Sequence, residues 1–466
     1  MKTKAWLCVS FFLAIVLVLP GVAAAQGRYF TVVFKSATLP ANAAAIVQGA
    51  GARIISEIPE IGMMKVEGPA SLLDTLGALP SIQAINPSLI FRLPPEPQAE
   101  AAFGATFDTS AAFLYNAYQW DIKQVTNDGA SFNMWPGRHQ TVVAIVDTGI
   151  NSTHQDLVPN LLGGRNFVPD GPGGTVVPTD FEDKHGHGSH CAGAAAGHGL
   201  ILGVGPNLGL RAYRVLTAQG WGYTDWIVGG MIAAANDRVD VISMSLAGYD
   251  VISGYTWTDP DTGTVYKMKD VADFLAWKRA AKYVVSKGVV LVTAAANDAT
   301  NISNPSAITE LLNYDYGPYG YYFWGASREV PGTLPGALTI SATGPDKSPA
   351  SYTNYGPGAI DISAPGGDYQ RYPDMTPTPW YYDMCLSAYI GGPNYYIWMA
   401  GTSMATPKVA AVAALVIDYA KAMGKTLSPA QVVTRLQQSA IDLGKKGYDM
   451  FYGYGMINAV SALLRK

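Results

Sequence analysis

Ser403 stands in the run G-T-S-M-A-T-P (401–407), which opens directly onto K-V-A-A-V-A-A-L-V-I-D-Y-A. That second piece lacks Gly, is rich in Ala and follows Pro407, a residue tolerated in a first helical turn, so it reads as a helix. It is apolar nearly all round and is expected in the middle of a large domain. A serine where a loop enters such a helix lies among unpaired backbone N–H groups, which favour negative charge beside it. Taken alone it is a capping serine. Three further residues change the reading. Asp147 ends the apolar run V-V-A-I-V (142–146), where a carboxylate is expected to have a partner. His187 lies in G-H-G-S-H-C-A-G-A-A-A-G, whose small residues permit close helix packing, and Asn297 ends V-V-L-V-T-A-A-A-N. Asp, His and Ser can act as orienting group, general base and nucleophile. An Asn side chain and the Ser403 backbone N–H can together bind an oxyanion.

These residues need a frame. The runs 142–146, 212–216, 241–246, 289–295 and 337–342 are short and continuously apolar, as suits strands buried on both faces of a parallel sheet. Helical stretches separate several of them: Thr224–Arg238, and Lys269–Lys287 ending at Gly288. Ser428-Pro429 begins another in the expected cap order. The chain from about Trp120 onward is therefore an α/β domain with a parallel β-sheet flanked by helices. Asp147, Asn297 and the run Ser243–Gly248 stand where an open sheet places ligands, outside the carboxyl ends of strands. Gly254–Met268 reads as a hairpin-like insertion. Tyr314–Trp324 reads as an aromatic loop that either packs on its own domain or lines a cleft.

The N-terminal part has a different composition. Residues 1–25 hold Lys2 and Lys4, an apolar run from Ala5 to Leu19 and a small-residue end, the pattern of a secretory signal cleaved after Ala25. Residues 26–93 follow the order β-α-β-β-α-β, a small α+β ferredoxin-like unit whose last strand takes in Leu89, Ile90 and Phe91. Residues 94–114 have no periodicity, are rich in Pro and Ala, and read as a linker. The larger α/β remainder would be 115–466. The 466 residues exceed what a single growing core accommodates. A net charge of −4 gives no support to nucleic-acid binding or a polybasic membrane contact. Of the three cysteines, Cys8 falls in the signal, leaving Cys191 and Cys385, which could form at most one pair and are read as two free thiols.

V-D-T-G-I, H-G-S-H-C-A-G, S-M-S-L-A-G, A-A-A-N and G-T-S-M-A-T-P-K-V-A, in this order, resemble the subtilisin-like serine peptidases. The small N-terminal unit is similar to that family's inhibitory propeptide. The resemblance implies a secreted serine endopeptidase, made as a self-processed zymogen with its cut within 93–114. Asp147 would orient His187, His187 would take the proton of Ser403, and Asn297 would bind the oxyanion. Ser245, Leu246 and Gly248 would form the edge that pairs with an extended peptide. Cys191 would pack beneath His187. The implied partners are polypeptide substrates and the protein's own propeptide, with no nucleic acid, no membrane after signal removal, and a monomeric state. Localisation would be extracellular or periplasmic.

There are departures: Lys408 stands where the family usually has His, while Ala411, Ala296 and Ala247 stand where it usually has Gly. No cofactor is required. Asp156 matches a family calcium ligand, but the stretch after His190 is short, so a structural calcium is left open, no metal ligand is assigned, and Asp156 is expected on the solvated surface. Two rival chemistries fail on composition. The H-x-H-x-S-H of His185, His187 and His190 lacks further histidines for a zinc site, all six lying between His139 and His198. The second D-T-G, at Asp261, sits in a turn-like context unlike an aspartic peptidase. The alternative from another class is an exported non-enzymatic binding protein on a peptidase scaffold.

Overall fold

The apolar runs become strands of one sheet. In a computed structural model, the described residues are 29–94, 96–100, 111–169, 171, 174–252, 254–268, 271–370 and 380–465. The signal reading and most of the linker lie outside them. Strands β7 (Val142–Asp147), β8 (Leu161–Asn166), β9 (Gly209–Arg214), β11 (Val241–Met244), β15 (Val290–Ala294), β18 (Ala337–Thr343) and β19 (Ile362–Pro365) form a seven-stranded sheet. Its order is β19-β18-β15-β11-β7-β9-β8, and every neighbouring pair is parallel. Two apolar clusters cover its faces, as alternation along β7 requires: Val143 and Ile145 join one, Ala144 and Val146 the other. Helices His187–Ala196 and Thr402–Ala422 belong to the first cluster, Thr224–Asn236 and Ala272–Ser286 to the second. Thr402–Ala422 is long and apolar enough to cross a membrane, but almost all of it is buried inside this core.

The two strands of this sheet missed by sequence reading are its edges. β8 reads L-L-G-G-R-N and β19 reads I-S-A-P, so Gly and Pro interrupt the apolar signal in both. An edge strand tolerates those residues because one of its sides makes no ladder.

The N-terminal unit follows the expected order: β1 (Tyr29–Phe34), helix Ala43–Gly49, β2 (Arg53–Ile58), β3 (Met63–Glu67), helix Leu72–Thr75 and β4 (Ile82–Pro87). Its strands pair antiparallel in the order β2-β3-β1-β4. The expectation of one last strand running from Ile82 to Phe91 needs correction. The sheet ends at Pro87, and β5 (Ile90–Arg92) leaves it to pair antiparallel with β10 (Trp221–Tyr223) of the larger domain. The connection that follows is also less free than its composition suggested. β6 (Gln98–Glu100) adds to a ribbon of β20 (Cys385–Ala388) and β21 (Tyr396–Met399), and helix Phe113–Tyr118 begins within the expected linker.

The unit's sheet lies on two helix starts. Asp225, in the first turn of Thr224–Asn236, accepts from Ser56 Oγ (2.8 Å) and Lys65 Nζ (3.0 Å). Lys65 is buried, with its ammonium 3.2 Å from the centre of the Tyr223 ring. Burial lowers its proton affinity against the pull of Asp225. Asp273, in the first turn of Ala272–Ser286, accepts from Thr31 and Asn86. Both carboxylates also complement the positive end of their helix.

The insertion is a hairpin of β13 (Tyr255–Thr258) and β14 (Val265–Met268), as read. The aromatic stretch differs from the expected loop. It closes helix Pro305–Tyr316, turns at Gly317–Tyr319 and enters β16 (Tyr321–Phe323), which pairs with β13. Tyr321 and Phe323 stack inward beside Tyr255, while Tyr314 is 83% exposed. β12 (Gly248–Val251) pairs with β17 (Ser327–Val330) nearby.

Candidate active site

Five chain segments converge at the carboxyl ends of the central strands. Asp147 is the last residue of β7, Asn297 lies just past β15, and Ser245 just past β11. Ser403 is in the first turn of Thr402–Ala422, and His187 opens its own helix. Gly188 must be small there: a Cβ would lie 2.2 Å from the Gly149 carbonyl oxygen. That closeness lets the His187 helix press against the end of β7.

Asp147 Oδ1 accepts from His187 Nδ1 at 2.7 Å and from the Thr148 backbone N–H at 2.7 Å. Nδ1 is therefore the protonated nitrogen, and Nε2 faces the cleft. Burial works against charge on His187. Asp147, then Cys191 and Glu96, outweigh it and hold the imidazole well above its ordinary value. Cys191 lies beneath the ring, its Sγ 4.0 Å from Nδ1, and donates to the Ser403 carbonyl oxygen at 3.5 Å. Burial pushes this thiol up, so it is a packed neutral group. Asp147, His187 and Cys191 offer ligand atoms close together, but proton sharing within the pair and the protonated thiol make them poor metal donors. Cys191 and Cys385 are both free.

Asn297 Oδ1 is taken by the Thr402 backbone N–H (2.9 Å) and hydroxyl (2.8 Å), which turns Nδ2 into the cleft. Before it stands Ala296 with φ +72°, a left-handed conformation that disfavours a Cβ. Ala296→Gly is expected to raise stability by about 0.5–1 kcal/mol, since relief of strain exceeds the added chain entropy. Urea unfolding in a Ser403→Ala background measures it, and a loss of stability would contradict the strain.

Ser403 Oγ donates to the Ser245 carbonyl oxygen at 3.1 Å, and Ser245 Oγ returns a bond to the Ser403 carbonyl oxygen at 2.8 Å. His187 Nε2 makes no hydrogen bond in this arrangement. What faces it is a residue that sequence reading passed over. Glu96 Oε2 lies 3.4 Å from His187 Nε2, and Oε1 accepts from Asn297 Nδ2 at 3.3 Å. The Glu96 side chain is only 3% exposed. The signal for it was its setting: a lone carboxylate among Pro94, Pro95 and Pro97, a composition that keeps a chain extended.

Of the expected peptide edge, Gly248 lies under Phe91: a Cβ on Gly248 would come within 2.3 Å of that ring. Leu246 is buried in the same cluster, and Ser245 meets Ser403 as above. The backbone pairing of β5 is with β10, continued by Leu93 N–H to the Gly220 carbonyl at 2.8 Å. Tyr316 hydroxyl donates to the Ile90 carbonyl at 2.7 Å, so the aromatic stretch also touches this strand. Asp156 corrects another expectation. It is 2% exposed, and accepts from the Leu200 and Ile201 N–H groups and the Tyr396 hydroxyl (2.7 Å), which leaves it committed to holding a loop.

A model of the subtilase family matches residues 138–455. The chain belongs to the subtilase family. Among curated relatives, the epidermin leader peptide-processing serine protease of Staphylococcus epidermidis is 28% identical over 359 residues, 74% of each chain. Subtilisin E of Bacillus subtilis (strain 168) is 31% identical over 323 residues, 69% of this chain and 65% of that protein. The nisin leader peptide-processing serine protease of Lactococcus lactis is 31% identical over 313 residues, 65% of this chain, and the match spans 44% of its length. The crystal structure of the epidermin leader peptide-processing protease of Staphylococcus aureus superposes with a TM-score of 0.78 at 25% identity. It covers 94% of the chain of this subtilase and 99% of that one.

Proposed function

We propose that this subtilase is an exported serine endopeptidase, extracellular or periplasmic, made as a zymogen whose N-terminal unit inhibits it. The observation that carries the reading is the 2.7 Å Asp147–His187 bond with Ser403 and Asn297 at the same strand ends. Asp147 fixes the tautomer and stabilises the imidazolium. The neutral Nε2 takes the Ser403 proton as its oxygen attacks a peptide carbonyl, then returns it to the leaving nitrogen. Asn297 Nδ2 and the Ser403 backbone N–H receive the charge that develops on the carbonyl oxygen. The substrate is polypeptide in extended form, laid along β10 with side chains against Leu246 and Gly248. The relatives named for leader peptide processing support a polypeptide substrate, and the enzyme acts as a monomer without a required cofactor.

Asn297→Ala is expected to lower turnover about a hundredfold or more, with a smaller change in KM, because the donor acts on charge that only the transition state carries. A peptide assay of the matured protein measures this. An Asn297→Ala enzyme within threefold of the parent would remove Asn297 from the reading. Labelling by a fluorophosphonate, lost in Ser403→Ala, tests the activated serine itself.

A further inference from the structure

Between β5 on one side of the cleft and β6 on the other, the chain brings Glu96 to His187 and Asn297. We propose that Glu96 is a tethered carboxylate ligand of this cleft, which holds the uncut protein inactive and sits in a stretch the enzyme does not cut. The inference rests on the peptidase reading above and adds what occupies the site, by which group, and where the chain must be opened.

Three observations carry it. The carboxylate is placed on the two groups that chemistry needs: Oε2 faces His187 Nε2 and Oε1 takes Asn297 Nδ2, the donor aimed at developing negative charge. Gly401 admits it, for a Cβ there would lie 2.4 Å from Glu96 Oε1. Ser403 Oγ is meanwhile turned to the Ser245 carbonyl, away from any imidazole bond. An imidazole facing a carboxylate favours its protonated form, and a protonated imidazole cannot accept the serine proton. The third observation is the sequence around the seat. The peptide bonds entering Pro94, Pro95 and Pro97 have no N–H, and each nitrogen carries a ring where a proton must be delivered. The flanking strands clamp this stretch from both ends, so a tethered ligand at high effective concentration stays in place. Cleavage of the connection then falls after Pro97, in the part that leads to helix Phe113–Tyr118.

The test uses the full-length chain, with parent, Glu96→Gln and Glu96→Ala treated side by side with a fluorophosphonate. That reagent forms a Ser403 Oγ–phosphorus bond with loss of fluoride, and the serine proton must pass to His187. Label is followed on the uncut band of a gel. Both variants should label about tenfold faster or more, the worth of one charge-assisted hydrogen bond to a buried carboxylate. Glu96→Gln keeps the size of the side chain on a connecting segment, so the fold is retained. Equal rates for the three uncut proteins would overturn the ligand role. Absence of label on every form, cut or uncut, would overturn the peptidase reading and this one with it. Mass spectrometry of the released N-terminal fragment should show an end after Pro97, and an end between Leu93 and Pro97 would refute the resistant stretch.

Discussion

Ser403→Ala is expected to abolish peptide hydrolysis, leaving at most the small residual rate that binding and the oxyanion donors supply. Only loss of His187 should cost as much, because the nucleophile and its base act as one unit. The fold should be unaffected, since Ser403 Oγ makes one bond, to the Ser245 carbonyl, at the edge of a helix otherwise held by apolar packing. A second readout follows from the same change. Purified alone, the Ser403→Ala chain should keep residues 26–93 attached, whereas the parent loses them as it matures. Hydrolysis by the serine variant would dismiss the assignment. Processing of the purified variant within the linker would leave the peptidase intact but remove self-processing.

Asp121→Ala should cost the most stability of any single change near the site, about 3–5 kcal/mol, by leaving a buried charge without its partner. The charge is Lys408, fully buried in the central helix, with Nζ 2.7 Å from Asp121 Oδ2. The ammonium also reaches the Pro365 and Met404 carbonyls and the Cys385 sulfur, which completes its donors. Burial alone would lower its proton affinity. Asp121 and the Cys385 thiol outweigh that and hold it above the ordinary lysine value of 10.5. The stabilisation is therefore complete below the ordinary range and fades only as pH rises through the higher folded value. Urea unfolding in the Ser403→Ala background measures the loss. Asp121→Leu with Lys408→Met should recover most of it, because well-packed apolar groups match a buried pair. A single variant within about 1 kcal/mol of the parent would mean that the pair is not what ties helix Trp120–Thr126 to the core.

The site was legible where chemistry coincides with an element boundary. Asp147 ends an apolar run, Asn297 does so at β15, and Ser403 meets the start of an Ala-rich helix; each reads as a polar residue at the one place a buried element opens to solvent. What escaped depends on contacts between distant segments. Glu96 lies in a stretch whose composition says only that it is extended, and its partners come from the start of one helix and the end of β15. Lys408 read only as a departure from the family's usual His, because its partner Asp121 stands on a separate helix with no spacing to announce it. Asp156 was placed on the surface for want of a visible ligand, when its oxygens serve backbone groups of a loop some forty residues away. The edge strands β8 and β19 escaped for a different reason: the apolar signal that marks central strands is the one that edges lack.

The position of helix Thr402–Ala422 in the chain has a bearing on how the protein is made. Every strand that it covers is synthesised before it, from β7, which closes at Asp147, to β19, which closes at Pro365. Until about the last seventh of the polypeptide has emerged, one apolar face of the sheet is covered only in part, by helix His187–Ala196. The pairing that completes the core is also among the most distant in sequence, which makes it slow. The opposite face is served earlier, because the N-terminal unit is synthesised first and can dock on Thr224–Asn236 and Ala272–Ser286 as soon as those helices appear. The order of synthesis thus makes the N-terminal unit the first half of a mould, and the helix bearing Ser403 the piece that closes it. A chain truncated before Thr402 would carry every strand of the sheet and still have no finished core.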